Sequence, residues 1–155
     1  MKGDKKVIKY LNSLLSGELT SADLYFLQSC IFKDWGMDKL QAQFKHEMED
    51  ELGHAEKLID RILFLEGVPN LAGRDEIKYE NNVEDMLKYD LKLEYEVIDN
   101  LKEAIAYCES CGDYQTREIL EVLLTDTEED HTFMLETQIG LIEKMGIENY
   151  IQSKS

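Results

Sequence analysis

Residues 44–58 have the sequence Phe44-Lys-His-Glu-Met-Glu-Asp-Glu-Leu-Gly-His-Ala-Glu-Lys-Leu58. Glu51 lies seven residues after Phe44 and seven before Leu58, so in a helix all three fall on one side. His54 follows Glu51 by three positions and projects from the same side. An acid and an imidazole therefore interrupt an apolar helical stripe.

A second segment, Leu124-Thr-Asp-Thr-Glu-Glu-Asp-His-Thr-Phe-Met-Leu135, repeats this pattern. Glu128 follows Leu124 by four residues, and His131 precedes Leu135 by four. The chain thus contains two Glu-x-x-His pairs, each predicted to lie on the apolar face of a helix.

Apolar residues at spacings of three and four extend these segments into long helices. We expect helices over about residues 4–33, 38–66, 83–111 and 114–145, and a short fifth helix over 147–151. Residues 67–82 contain Pro69 and Gly73 and lack helical periodicity, which predicts one long crossover. Gly36 and Gly112 indicate tight turns between the other long helices.

The ends and faces of the first two helices can also be predicted. Asp4 is the expected N-cap of the first helix, and Asp38 is positioned to cap the second. The apolar stripe of the first helix is expected to continue through Phe26 to Cys30.

Four helices of about 28–32 residues, each roughly 42–48 Å long at 1.5 Å per residue, are typical of a helical bundle. Short, long and short connections would join two antiparallel hairpins through one crossover. We therefore predict one all-α domain over residues 1–155. It is a ferritin-like four-helix bundle with one long crossover and a short C-terminal fifth helix.

Two further acids lie on the inner stripes. Glu18 falls between Leu15 and Ala22, and Glu94 lies one turn before Val97. Glu18 precedes Glu51 by 33 residues and Glu94 precedes Glu128 by 34, so each hairpin offers one single Glu and one Glu-x-x-His pair.

An unpaired buried charge costs several kcal/mol, and no Lys or Arg interrupts these stripes nearby. Two metal ions would offset that cost, and this ligand pattern is typical of di-iron bundles. The candidate ligands, which are also the candidate catalytic residues, are Glu18, Glu51, His54, Glu94, Glu128 and His131. The alternative is a polar core held together by hydrogen bonds alone.

Oxygen-rich ligation with two imidazoles suits iron or manganese better than structural zinc. The expected chemistry is oxidation of Fe(II) by O2 or peroxide, with Glu51 and Glu128 bridging the ions. Tyr25 follows Glu18 by one heptad and is either a hydrogen-bond or electron donor or an ordinary packing residue. His46 and Asp50 form either a surface pair or an accessory metal site.

The formal net charge is −16, from 17 basic and 33 acidic residues. Without a basic run, this charge argues against binding to nucleic acid or anionic lipid. No apolar stretch approaches the roughly 20 residues of a membrane span, and no signal peptide is evident, so the expected compartment is the cytoplasm. Cys108 and Cys111 have CxxC spacing, but neither a βαβ pattern nor a second ligand pair supports a redox or zinc role.

Longer motifs carry a family resemblance, including Tyr10-Leu-Asn-x-Leu-Leu-x-x-Glu-Leu19, Asp34-Trp-Gly36, Arg61-Ile-Leu-Phe-Leu-Glu-Gly-Val-Pro-Asn-Leu71 and Leu141-Ile-Glu-Lys-Met-Gly-Ile-Glu-Asn-Tyr150. Over nearly its whole length the chain resembles the bacterioferritin family. The resemblance implies a shell of 24 subunits that oxidises Fe(II) at intrasubunit di-iron centres and stores ferric mineral. It also implies that the six candidate ligands form the ferroxidase centre, and that His46 and Asp50 form an inner-surface iron site.

The chain departs from this family at Leu52. The family binds haem b between two subunits through a methionine at this position, and leucine has no donor atom for iron. The resemblance is therefore to haem-lacking members, or to a subunit that co-assembles with a haem-binding bacterioferritin subunit. Delivery of electrons by a ferredoxin is correspondingly less expected.

The leading hypothesis is an iron-storage ferroxidase. The alternatives are a ferritin-like di-iron peroxidase or oxygenase in a small oligomer, and a structural helical bundle, which inward acids disfavour. The mass of the assembly separates the first two.

Overall fold

Helices make up every regular element of this protein, whose computed structural model describes all 155 residues. The elements are α1 (Lys5–Asp34), α2 (Asp38–Phe64), α3 (Val83–Cys111), α4 (Tyr114–Asp126), a π-helical segment (Thr127–Thr132), α5 (Phe133–Met145) and α6 (Ile147–Ser153). The α4 helix, the π-helical segment and α5 follow one another without a break and form the fourth long helix. The predicted all-α four-helix bundle with a short C-terminal helix is confirmed.

The bundle consists of two hairpins, because α1 packs mainly against α2 and α3 packs against α4 and α5. The connection between α2 and α3 is fixed to the surface of α1. The side-chain amide of Asn12 donates to the carbonyl of Val68 at 3.1 Å and accepts from the backbone N–H of Asn70 at 2.8 Å. Farther along, Arg74 pairs with Asp23 at 2.9 Å. None of the helices combines the length and the apolar character needed to cross a bilayer.

The helix ends follow local sequence, with two differences from expectation. Asp4 caps α1 as predicted, accepting from the N–H groups of Lys6 and Val7 at 2.7 and 3.1 Å. The prediction that Asp38 caps α2 is wrong, because the turn is so short that Asp38 is already the first helical residue. The α2 helix ends at Phe64, not at residue 66, because Glu66 adopts a left-handed φ of 62°.

Two apolar clusters fill the bundle, one at each end. The first includes Leu11, Leu58 and Leu120, and the second includes Phe32, Phe44 and Leu135. On each of the four long helices the two clusters are separated by buried polar residues, so a polar layer crosses the middle of the bundle.

Near the second cluster, the buried face of α1 differs from the prediction. Phe26 and Cys30 are exposed, and Tyr25, Ser29 and Phe32 are buried instead. An α-helix has 3.6 residues per turn, so its inner face drifts relative to a fixed repeat along 30 residues.

Candidate metal centre

The polar layer brings together five of the predicted ligands. Glu18 comes from α1, Glu51 and His54 from α2, Glu94 from α3 and His131 from the π-helical segment, and each is at most 3% exposed. Apolar residues of the two clusters lie before and after them on each helix, which fixes the backbone that carries them.

These five residues form two triads that share one carboxylate. Glu18, Glu51 and His54 make the first triad, and Glu51, Glu94 and His131 make the second. In each triad the possible ligand atoms lie within 4.8 Å of one another. The two imidazole rings face each other, with centroids 5.5 Å apart and planes 18° from parallel.

Glu51 is oriented to serve both triads. Its Oε2 lies 3.9 Å from Nδ1 of His54, and its Oε1 lies 2.7 Å from Nδ1 of His131. The single carboxylates complete the sets: Glu18 lies 3.4 Å from Nδ1 of His54, and Glu94 lies 3.7 Å from Nδ1 of His131. Both Nδ1 atoms thus point into the space between carboxylates.

The second nitrogen of each imidazole faces another acid. Nε2 of His54 lies 3.1 Å from Oδ2 of Asp126. Nε2 of His131 lies 3.0 Å from Glu47 and 3.5 Å from Asp50. Carboxylates in these positions fix the ring orientation and leave Nδ1 available for a metal ion, as in many metalloproteins.

The negative charges of the triad carboxylates are balanced only by the two histidines, since no Lys or Arg forms an ion pair with either triad. Burial opposes the charged imidazole, but Glu51 and Glu94 outweigh it and raise the pKa of His131 to about 12. Burial and the neighbouring Glu18 raise the pKa of Glu51 well above its usual value. In the metal-free protein the protonated imidazole of His131 thus occupies the role of a cation.

Two buried polar atoms of the first triad lack hydrogen-bond partners: Oε1 of Glu18 and Nδ1 of His54. Such atoms are costly in a folded protein, and a metal ion would satisfy them. Oxygen and imidazole donors in this proportion suit iron or manganese.

Glu128 is not part of this cluster, and the expectation that it projects into the bundle is wrong. It is exposed and lies in the π-helical segment. A π-helix closes hydrogen bonds from residue i to i+5, so three-residue spacing no longer puts Glu128 and His131 on one face. Thr127 occupies the inner face in its place and is 1% exposed.

Three buried or adjacent acids were missed by the sequence analysis: Glu47, Asp90 and Asp126. Glu47 and Asp90 each precede a cluster glutamate by four residues, and this one-turn spacing was the available signal. Burial raises the pKa of Glu47 to about 7, and the nearby Asp130 and Asp50 add to the effect while His131 opposes it. Glu47 belongs to a third group, with Asp50, Asp130 and His131, whose possible ligand atoms also lie within 4.8 Å.

Tyr25 adjoins the second triad. Its hydroxyl donates a hydrogen bond to the carboxylate of Glu94, and its ring packs edge-on against Phe44 with centroids 5.6 Å apart. Burial and the charge of Glu94 raise the pKa of Tyr25 well above its usual value, so the phenol stays protonated. Also between α1 and α3, the side-chain amide of Gln28 donates a hydrogen bond to the carboxylate of Asp90 at 2.7 Å.

His46 and Asp50 lie outside the buried triads. Nε2 of His46 is 3.4 Å from Oδ2 of Asp50, and the His46 side chain is 64% exposed. Both line an open recess of about 410 Å³ that leads to His54. The remaining lining residues are Glu49, Gly53, Lys57, Asp126 and Asp130. The recess reaches His54 of the first triad from the surface, and four of its eight lining residues are acidic.

Leu52 is 46% exposed on the outer face of α2. Met48, one turn earlier, is half-buried. All three cysteines are free, with Cys108 buried and Cys30 and Cys111 exposed.

A bundle of two helical hairpins joined by one long crossover, with carboxylates and imidazoles buried at its centre, defines the ferritin-like class. The ferritin-like domain family matches residues 8–145 of this chain. A bacterial ferritin of Synechocystis sp. is 53% identical over 154 residues, which covers 99% of each chain. A bacterial ferritin of Pseudomonas aeruginosa is 49% identical with the same coverage. A bacterioferritin of Rhodobacter capsulatus is 41% identical over 97% of this chain and 92% of its own.

The chain belongs to the bacterial ferritin and bacterioferritin family. It is an iron-storage ferritin with ferroxidase activity, and its family typically forms homo-oligomeric shells.

Proposed function

We propose that Glu18, Glu51, His54, Glu94 and His131 form an intrasubunit di-iron ferroxidase centre. The observation that carries the proposal is the pair of triads sharing Glu51, in which no Lys or Arg neutralises the carboxylates. Each triad offers two carboxylates and one imidazole Nδ1 to one Fe(II) ion, and iron is here the substrate.

In this reaction two Fe(II) ions give up one electron each. O2 accepts both electrons and, with two protons, becomes hydrogen peroxide, which can itself oxidise two further Fe(II) ions. The protein's part is to hold the two ions close together and to stabilise the charge gained on oxidation, which the buried carboxylates do. Asp126 and Glu47 keep the two imidazoles oriented, and Tyr25 holds Glu94 through its hydroxyl.

Two accessory roles follow from the surroundings of the centre. Tyr25 is the candidate electron donor because it is the phenol in contact with a proposed ligand. His46 and Asp50 are candidates for an accessory inner-surface iron site because they line the acidic recess beside His54.

The proposed assembly is a shell of 24 subunits. Several large apolar side chains on the surface of the single chain would be buried by contact with other subunits. Each of the following is more than half exposed: Phe26, Leu63, Phe64, Leu71 and Phe133.

With leucine at position 52 we propose no haem b in the homo-oligomer. Haem would enter only by co-assembly with a haem-binding subunit, to which a ferredoxin could deliver electrons. We also propose the cytoplasm as the compartment, since an odd number of cysteines suits a reducing environment.

The test is to mix metal-free protein with Fe(II) under anaerobic conditions, add O2, and follow ferric absorbance. We expect rapid oxidation by the wild type and loss of the fast phase in the Glu18→Ala, His131→Ala double variant. Glu96→Gln is the matched control, because Glu96 is exposed on α3 two residues after Glu94. Equal rates for the wild type and the double variant would overturn the proposal.

A further inference from the structure

The two hairpins of the bundle differ by one residue. Glu18 and Glu51 are separated by 33 positions, and the same separation from Glu94 leads to Thr127, not to Glu128. Thr127 is 1% exposed, like Glu51 at 2%, whereas Glu128 is exposed. Thr127 is therefore the counterpart of Glu51 by position and by burial.

The π-helical segment explains how the extra residue is accommodated. An α-helix that gains one residue forms a wider turn, so that the residues on either side keep their packing. Here Leu123 lies in one apolar cluster and Leu135 in the other, so both sides of Thr127–Thr132 are held. The wider turn keeps His131 in the second triad and carries Glu128 outward.

We infer that Thr127 replaces a second bridging carboxylate, so that Glu51 alone bridges the two metal ions. The inference rests on the proposed di-iron centre and deepens it. The hydroxyl of Thr127 is neutral and donates to the carbonyl of Leu123 at 2.8 Å, so it is turned to the backbone. Glu128 makes no side-chain hydrogen bond or ion pair that would hold it near the triads.

A centre with one bridge keeps only three protein donors for each ion: Glu18, Glu51 and His54 for one, Glu51, Glu94 and His131 for the other. A ligand set lacking one shared carboxylate holds both ions less tightly. Weaker binding favours release of iron after oxidation over its retention as a resident cofactor.

Co²⁺, which does not react with O2 at such a site, is the probe. Its binding to the metal-free protein is followed by titration calorimetry and by visible absorbance. We expect Glu128→Gln to change the dissociation constant by less than about twofold. Glu94→Gln should weaken binding by about tenfold or more, since even loss of a residue that only orients a metal ligand costs that much. Glu128 is exposed, so its substitution leaves folding intact.

A second variant tests the same inference through an expected gain in Co²⁺ affinity. Deleting Thr127 makes the two hairpins equal and places Glu128 at the inner position, so we expect Co²⁺ to bind about tenfold or more tightly and to survive dialysis. The matched control is Thr127→Val, which keeps the length and should leave Co²⁺ binding unchanged.

The outcomes separate the two proposals. If Glu128→Gln weakens Co²⁺ binding as much as Glu94→Gln does, Glu128 is a ligand and the inference is overturned while the di-iron centre stands. If neither substitution weakens binding, the proposed centre fails, and the inference fails with it.

Discussion

The carboxylate of Glu51 lies 2.7 Å from Nδ1 of His131, although the two residues come from different hairpins. The same carboxylate turns its other oxygen toward His54 on its own helix. Glu51 thus contacts a histidine of each hairpin, His54 and His131. Its removal has consequences that removal of any other ligand does not.

Glu51→Gln should therefore impair ferroxidation more than Glu18→Gln. The amide cannot bridge two ions as a carboxylate does, so both binding positions are weakened, whereas Glu18 contributes to one triad. We expect the initial rate to fall by about 100-fold for Glu51→Gln and by about tenfold for Glu18→Gln. Stopped-flow measurement of ferric absorbance gives both rates.

The control for this comparison is Glu56→Gln, which alters an exposed acid on the same helix and should leave the rate unchanged. Equal losses for Glu51→Gln and Glu18→Gln would contradict the shared role of Glu51.

Metal binding should stabilise the fold. A ligand that binds only the native state adds about 2.7 kcal/mol of stability when its concentration is 100 times Kd. We expect Zn²⁺ or Mn²⁺ to raise the midpoint of thermal unfolding of the metal-free protein, and EDTA to reverse the shift. Circular dichroism at increasing temperature measures it.

The Glu18→Ala, His131→Ala double variant separates this effect from binding elsewhere on an acidic surface. It loses a donor from each triad but keeps nearly all of the other acids. A shift as large in the double variant as in the wild type would show that the stabilising ions bind outside the two triads.

The sequence was sufficient to predict the bundle, its crossover and the inward positions of Glu18, Glu51 and Glu94, because each follows from regular helical spacing around apolar residues. The position of Glu128 could not be predicted in this way, since the spacing rule assumes 3.6 residues per turn throughout. The excess residue was visible as separations of 33 and 34, but its location depends on how the helix is held on either side. Glu47 was missed because it lies among other charged residues of the same helix, His46, Glu49 and Asp50, of which none is buried.

Position 52 should decide whether haem binds. We expect purified wild-type homo-oligomer to lack a Soret absorbance band, because leucine offers no donor atom to haem iron. Leu52→Met introduces a thioether on an exposed part of α2 and should permit haem binding. Leu63→Met is the control, since it adds the same side chain at another exposed position of α2. A stoichiometric haem spectrum from the wild type would refute the prediction.

The cysteines of the Cys108-x-x-Cys111 pair should differ sharply in reactivity. Burial, aided by the nearby Asp113, raises the pKa of Cys108 to about 12, so its reactive thiolate is scarce even at pH 10. Cys111 is exposed at the end of α3. We expect iodoacetamide at pH 8 to modify Cys111 in the native protein and to leave Cys108 intact, as measured by peptide mass spectrometry. Modification of both cysteines at similar rates would show that Cys108 is accessible, whereas unfolding should make both reactive.

Assembly and oxidation should be separable in this protein. The exposed apolar side chains of α1 and α2, such as Phe26 and Phe64, lie on the surface, whereas the two triads lie inside the bundle. Light scattering coupled to size-exclusion chromatography should give about 432 kDa, which is 24 times 18.0 kDa, for both the wild type and the Glu18→Ala, His131→Ala variant. After addition of Fe(II) and O2, only the wild type should sediment faster, because a mineral of ferric iron collects in its shell.

That shell carries a formal charge of −384, 24 times that of one chain, and this charge draws Fe²⁺ toward it at low ionic strength. A small oligomer that turns over without mineral would instead favour the peroxidase or oxygenase alternative.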